Sequence, residues 1–179
     1  MPGSGKSTAV DYITKKEYPK VYFGGIVLQA LEDAGLERSA ENEAYIREKL
    51  RKEEGKDFIA QRIIRQLSDL IEAGQHRIIA DGLYSWTEYK TLKRAFPGEI
   101  TVIAVLAPRH VRHRRLAARP ERPFTAEEAK VRDWREIEEL EKGGPIAVAD
   151  HYVINDGTDI EAYTAEVDRI LTEINFYQQ

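Results

Sequence analysis

Short apolar runs alternate with longer amphipathic stretches along this chain, the pattern of an α/β protein built on a parallel sheet. Residues 21–23, 77–80, 100–106 and 152–154 read as strands. The run I-T-V-I-A-V-L at 100–106 is the most apolar of them, so it is expected to be buried on both faces. Helices are expected over 7–18, over 26 to about 74 with breaks near Gly35 and Gly55, and over 85–96, 108–118, 125–142 and 160–176. Pro19 and Pro97-Gly98 supply stops, because proline cannot continue a helix. Gly24-Gly25 is expected to close the first strand. Ser39 caps the segment after it in an imperfect capping box, with Asn42 at the usually acidic position, and Thr125 caps the helix after the proline-broken loop 119–124. No repeat, linker or low-complexity segment interrupts the order.

A length of 179 residues is that of about one domain with a substantial core. With 42% hydrophobic and 32% charged residues, the composition is that of a soluble globular protein. A net charge of −4 argues against nonspecific binding to nucleic acid or an anionic membrane. The lack of cysteine excludes disulfides, thiol catalysis and thiolate zinc sites, and four histidines leave little for an imidazole site. There is neither a signal-peptide pattern nor an apolar run near membrane-spanning length, so a cytoplasmic location is expected.

The chain opens Met1-Pro2-Gly3-Ser4-Gly5-Lys6-Ser7-Thr8, which is G-x-x-x-x-G-K-[ST] without its first glycine. Glycines in such a loop let successive backbone N–H groups turn around the phosphates of a nucleotide. The lysine adds positive charge near the β/γ-phosphates, and the next hydroxyl reaches Mg²⁺. Gly3, Ser4, Gly5, Lys6, Ser7 and Thr8 are therefore the candidate ATP contacts, with Ser7 as the Mg²⁺ ligand and Thr8 supporting the loop. Asp81 ends the strand at 77–80, on the edge where open α/β sheets bind ligands, so it is the second candidate for the Mg²⁺ shell; a plain helix cap is the alternative.

Arginines 109, 112, 114, 115, 119 and 122, followed by 132 and 135, gather beside one proline-rich loop in an otherwise acidic chain. Guanidinium groups suit the equatorial oxygens of a moving phosphoryl group. Arg112, Arg115 and Arg119 fall at helical spacings of three and four and are expected to share a face, with Arg109 and Arg114 toward solvent; a merely solvated basic helix is the alternative. Arg47 and Arg51, with Gly25, are candidate acceptor contacts, although Glu43, Glu48 and Glu54 offer the arginines ordinary helix salt bridges. Trp86, Trp134, Tyr45 and Tyr84 read equally as core or as pocket walls.

With L-R-K-E-E-G at 50–55, D-G at 81–82, R-L-A-A-R at 115–119, R-D-W-R-E at 132–136 and A-D-H-Y-V-I-N-D at 149–156, the chain resembles P-loop kinases related to adenylate kinase and often labelled dephospho-CoA-kinase-like, an AAA-type ATPase-labelled group. The resemblance spans essentially the whole chain. It implies a three-layer α/β/α P-loop NTPase fold with five parallel strands in order 2-3-1-4-5. It also implies an acceptor region at about 24–74 and an arginine lid at about 115–135. Arg115 and Arg119 match the lid's R-L-x-x-R, and Arg132 matches the arginine of the element after it, which makes all three candidate catalytic cations beside Lys6. Asn155 falls in the turn where relatives in the wider fold contact the donor adenine; a plain strand-to-helix turn is its alternative. Two departures bear on the acceptor. Asp81-Gly82-Leu83-Tyr84-Ser85 stands where adenylate kinases read D-G-F-P-R, and Gly24-Gly25 stands where close relatives carry an aspartate. In dephospho-CoA kinases an acid in that region can serve as base toward a ribose hydroxyl; lacking it, the chain fits a phosphate acceptor slightly better than a hydroxyl acceptor.

The expected activity is thus transfer from ATP with Mg²⁺ to a nucleotide-like acceptor, foremost a nucleoside monophosphate, by a monomer or homodimer. Dephospho-CoA kinase or another small-molecule kinase is the alternative within the class, and a nucleotide-dependent switch with slow ATP hydrolysis the alternative outside it. In the implied strand order the strand before the P-loop is central. Omitting it would leave unpaired buried backbone groups at roughly 1–3 kcal/mol each, so the natural protein is expected to begin several residues upstream of Met1.

Overall fold

A computed structural model describes residues 1–177 and divides the chain into two compact units. One consists of Met1–Glu17, Tyr84–Trp86 and the residues from Thr101 onward; the other consists of Tyr18–Leu83 and Thr87–Ile100.

In the first unit, β3 (Ile103–Leu106) pairs in parallel with β4 (His151–Ile154), with Ile103 opposite His151 and Leu106 opposite Ile154. Around the pair stand α1 (Lys6–Thr14), α6 (Arg109–Ala117), α7 (Ala126–Glu138), the short α8 (Gly143–Ala147) and α9 (Ile160–Glu173). Helix α9 buries Tyr163, Val167, Ile170 and Leu171, which recur at helical spacing, while α1 buries Ala9, Val10 and Ile13. Thr125 and Glu128 close a full capping box at the start of α7. Strand β3 is shorter and less buried than 100–106 implied, with only Ala104 fully covered. Its ladder stops at Ile103, where the N–H of Val102 donates to the Asp150 carboxylate at 2.7 Å and the Val102 carbonyl accepts from the N–H groups of Asp150 and His151.

In the second unit, β1 (Lys20–Tyr22) pairs in parallel with β2 (Ile79–Asp81), with Tyr22 opposite Asp81. Helices α2 (Phe23–Asp33), α3 (Ala40–Glu54), α4 (Phe58–Glu72) and most of α5 (Trp86–Ala95) complete it. Its core joins Phe23, Ile26 and Leu31 to Phe58 and Ile63. The breaks fall as expected, with Gly35, Gly55 and Gly74 all at positive φ. Gly24-Gly25 does not end a strand but lies in the first turn of α2. Early entry into helix puts Phe23, Ile26 and Val27 on one buried face, and the Tyr22 ring folds over Gly24, where a Cβ would sit 2.5 Å from its Cζ. Ser39 caps α3 alone: its Oγ accepts from the N–H of Asn42, whose own amide turns to the carbonyl of Glu37.

The implied five-strand order is not seen. The described residues form two two-stranded parallel sheets within a P-loop kinase-like α/β fold. No helix among them is long and apolar enough to cross a membrane.

Candidate functional site

The loop 1–5 turns into α1 through two left-handed glycines, Gly3 at φ 77° and Gly5 at φ 101°. A side chain fits at neither. A Cβ on Gly3 would lie 2.7 Å from the carbonyl oxygen of Arg112, and one on Gly5 would lie 2.1 Å from Nδ2 of Asn155. Gly5 is the N-cap of α1 and offers no side-chain cap, so the positive end of the helix dipole adjoins the loop without a capping side chain. Lys6 is the first residue of the helix, Ser7 and Thr8 follow on its exposed first turn, and Ser4 is buried beneath the loop.

Asn155, Tyr163 and Arg115 reach the glycine end of the loop. Asn155 donates from Nδ2 to the Ser4 carbonyl at 2.8 Å, and the Tyr163 hydroxyl donates to the Gly5 carbonyl at 2.9 Å. Arg115 donates to the carbonyl and Oδ1 of Asn155, each at 3.0 Å, to the Gly157 carbonyl at 2.7 Å, and at the limit of a hydrogen bond to the Gly3 carbonyl at 3.5 Å. Burial pushes the Tyr163 phenol up to about 12 against the opposing charge of Arg115.

Two ion-pair clusters stand on α6 and α7. Arg112 clasps Asp133 through its two terminal guanidinium nitrogens, at 2.7 and 2.8 Å, and donates to the Pro2 carbonyl at 3.2 Å. His113 adds a contact to Asp133 at 3.0 Å. Burial alone would raise the Asp133 carboxyl, yet the hydrogen bonds from Arg112 and His113 hold it below the ordinary aspartate range. Glu136, almost fully buried, takes an ion pair from Arg132 at 2.6 Å and one from Lys142, whose ammonium also lies over the Tyr84 ring.

The arginine segment therefore differs from the shared face its spacing suggested. Helix α6 ends at Ala117, so Arg119 leaves the helix, while Arg112 turns inward and Arg115 is tied to the loop at Asn155. Arg109 and Arg114 face solvent as expected, and Arg119 is exposed with no partner among the described residues. The residues 115–135 thus span the end of α6, a loop and most of α7, and no lid is shown there.

The remaining candidates belong to the second unit. Asp81 closes β2 and is 9% exposed. Arg47 pairs with Glu43 at 2.7 Å, the ordinary helix bridge weighed against a substrate role. Arg51 is exposed in the last turn of α3, and Gly25 lies under the Tyr22 ring. Among the described residues, no group of three or more His, Asp or Glu side chains could hold a metal ion by itself.

Sequence reasoning missed Tyr163, Asp133, Glu136 and Lys142. A signal existed for two of them. Asp133 and Glu136 stand three apart on α7, and a buried acid needs the kind of cation that Arg112, Arg132 and Lys142 supply. Tyr163 looked like one more apolar position of α9, and only its reach to Gly5 distinguishes it.

Residues 1–138 match the AAA_18 family, described as an AAA domain. The chain belongs to this family. It is also 38% identical to a UPF0200 protein of Thermococcus kodakarensis over 97% of its own length and 94% of the relative's. A UPF0200 protein of Sulfurisphaera tokodaii is 30% identical, again over 97% of this chain and 93% of the relative. Among solved structures, a gluconokinase from Sinorhizobium meliloti is similar with a TM-score of 0.50 at 14% identity, covering 99% of this chain and 93% of that one. At that identity the likeness carries the fold alone.

Proposed function

We propose that this protein is a small-molecule kinase that moves the γ-phosphoryl group of ATP onto a nucleotide-like acceptor, foremost a nucleoside monophosphate. The observation that carries the reading is the loop at 3–5. Two left-handed glycines, neither with room for a Cβ, lead into a helix whose N-terminus has no side-chain cap. A polyphosphate chain fits that loop, because backbone N–H groups and the helix dipole favour an anion there.

Lys6 places its charge beside the β/γ-phosphates. Ser7, on the exposed first turn of α1, would be the Mg²⁺ ligand, and Asp81, at the carboxyl end of β2, is by its place in the sequence the second candidate. When bound, Mg²⁺ neutralises charge on the phosphate oxygens. Arg119, exposed, is the cation proposed to meet the moving group, and Arg132, half-exposed, would join it by exchanging its bond to Glu136. Arg47, Arg51 and Gly25 mark the acceptor region. An acceptor phosphate is already an anionic nucleophile and needs no base, which suits the glycines at 24–25.

A coupled ADP-release screen across nucleoside monophosphates, dephospho-CoA and nucleosides tests the reading. Stimulation by one acceptor class, abolished in Lys6→Ala, is the expected result; unchanged turnover in Lys6→Ala refutes it. A dephospho-CoA kinase would respond to dephospho-CoA alone. One observation favours a nucleotide-binding switch instead: Arg112, Arg115 and Arg132 are all engaged with protein oxygens. Tight ATP binding with no acceptor-stimulated ADP release would select that reading.

A further inference from the structure

We infer that Asn155 and Tyr163 are positioning residues for the phosphate loop: they hold its carbonyls outward so that its N–H groups face the anion. This rests on the nucleotide-binding reading above.

In a trans peptide, the carbonyl of one residue points opposite to the N–H of the next. Fixing the Ser4 carbonyl therefore fixes the N–H of Gly5, and fixing the Gly5 carbonyl fixes the N–H of Lys6. Asn155 holds the first at 2.8 Å and Tyr163 holds the second at 2.9 Å. The Gly5 carbonyl also accepts the first helical bond of α1, from Ala9 at 3.1 Å, so both of its lone pairs are used.

The orientation of the Asn155 amide follows from its neighbour. Arg115 has only donors, so the Asn155 oxygen must face it, leaving Nδ2 for Ser4. Arg115 acts through Asn155 and anchors the same turn by the Gly157 carbonyl. Tyr163 is 5% exposed, so little water competes for its bond. The second glycine of the motif has a cause in the same contact: Asn155 occupies the space that a Cβ at position 5 would take. Asn155, a candidate adenine contact by sequence, thus serves the phosphates from behind the loop.

Calorimetric titration of the full chain with Mg²⁺-ATP, and separately with inorganic tripolyphosphate, tests this in wild type, Tyr163→Phe and Asn155→Ala. Each variant is expected to lose about tenfold in affinity for both ligands, the scale of one hydrogen bond. The control is Tyr12→Phe, which removes a hydrogen bond from α1 to Asp168 on α9 without touching the loop; its affinity should stay within twofold of wild type. Wild-type binding with Tyr163→Phe and Asn155→Ala within twofold overturns the inference and leaves the nucleotide reading intact. An equal loss in Tyr12→Phe also overturns it, because packing of α1 on α9 would then be the cause. Wild type that binds neither ligand overturns the nucleotide reading itself. The Gly5 and Lys6 amide resonances give a ligand-free readout: they should shift in Tyr163→Phe and remain in place in Tyr12→Phe.

Discussion

Arg112 and Asp133 meet side-on between α6 and α7, two hydrogen bonds joining side chains that are 8% and 12% exposed. A pair this dry is costly to break from one side, because the surviving charge is left buried. Asp133→Ala should destabilise the protein by about 3–5 kcal/mol. Replacing both partners, as Arg112→Met with Asp133→Leu, should recover most of that loss. Urea unfolding of wild type and the two variants checks it; an Asp133→Ala protein as stable as wild type would show the pair to be dispensable.

The same carboxylate gives stability a pH dependence. Asp133 and Asp168 are both held below the ordinary aspartate range against the opposing effect of burial, Asp133 by Arg112 and His113, Asp168 by Lys16, Tyr12 and Tyr177. A group whose pKa is depressed by folding stabilises fully above its unfolded value and loses that contribution as pH falls through the folded one. The melting temperature should therefore fall on acidification over about pH 5 to pH 2, and less steeply in the Arg112→Met, Asp133→Leu double variant. A melting temperature that rises on acidification contradicts this sign.

Glycines at positive φ should separate into two kinds. At Gly74 an added methyl would meet nothing within 4 Å, so Gly74→Ala should cost only the left-handed strain of about 1–2 kcal/mol and leave ATP affinity unchanged. Gly5→Ala meets the Asn155 amide and should abolish ATP binding. Paired melting curves and ATP titrations decide it, and ATP binding that survives in Gly5→Ala would remove the steric account of the loop.

Arg119, exposed and unpartnered among the described residues, has no structural bond to lose. Arg119→Ala should leave the melting temperature unchanged and lower kcat by ~10²-fold, on the scale of one electrostatic donor. Normal kinetics would make it an ordinary solvated cation.

The alternation of apolar runs with amphipathic stretches was enough to place most helices within a few residues, since burial on one face demands that periodicity wherever the helix lies. Thr125 was readable as a cap because a capping box is local in sequence. Gly24-Gly25 was misread for the converse reason: glycine marks a turn only if nothing else fixes the backbone, and the burial of Phe23 and Ile26 with the Tyr22 ring carried α2 through it.

The residues at 1–8 by themselves mark a P-loop, because the motif is contiguous and its own glycines permit the left-handed turns at Gly3 and Gly5. Which arginines are free was decided only by the tertiary structure. Arg112, Arg115 and Arg119 are alike in type and regular in spacing, yet one is clasped by Asp133, one holds Asn155 and one reaches solvent. A charge's role depends on what faces it, and the facing groups come from α7 and the turn after β4, far along the chain and near only once it folds.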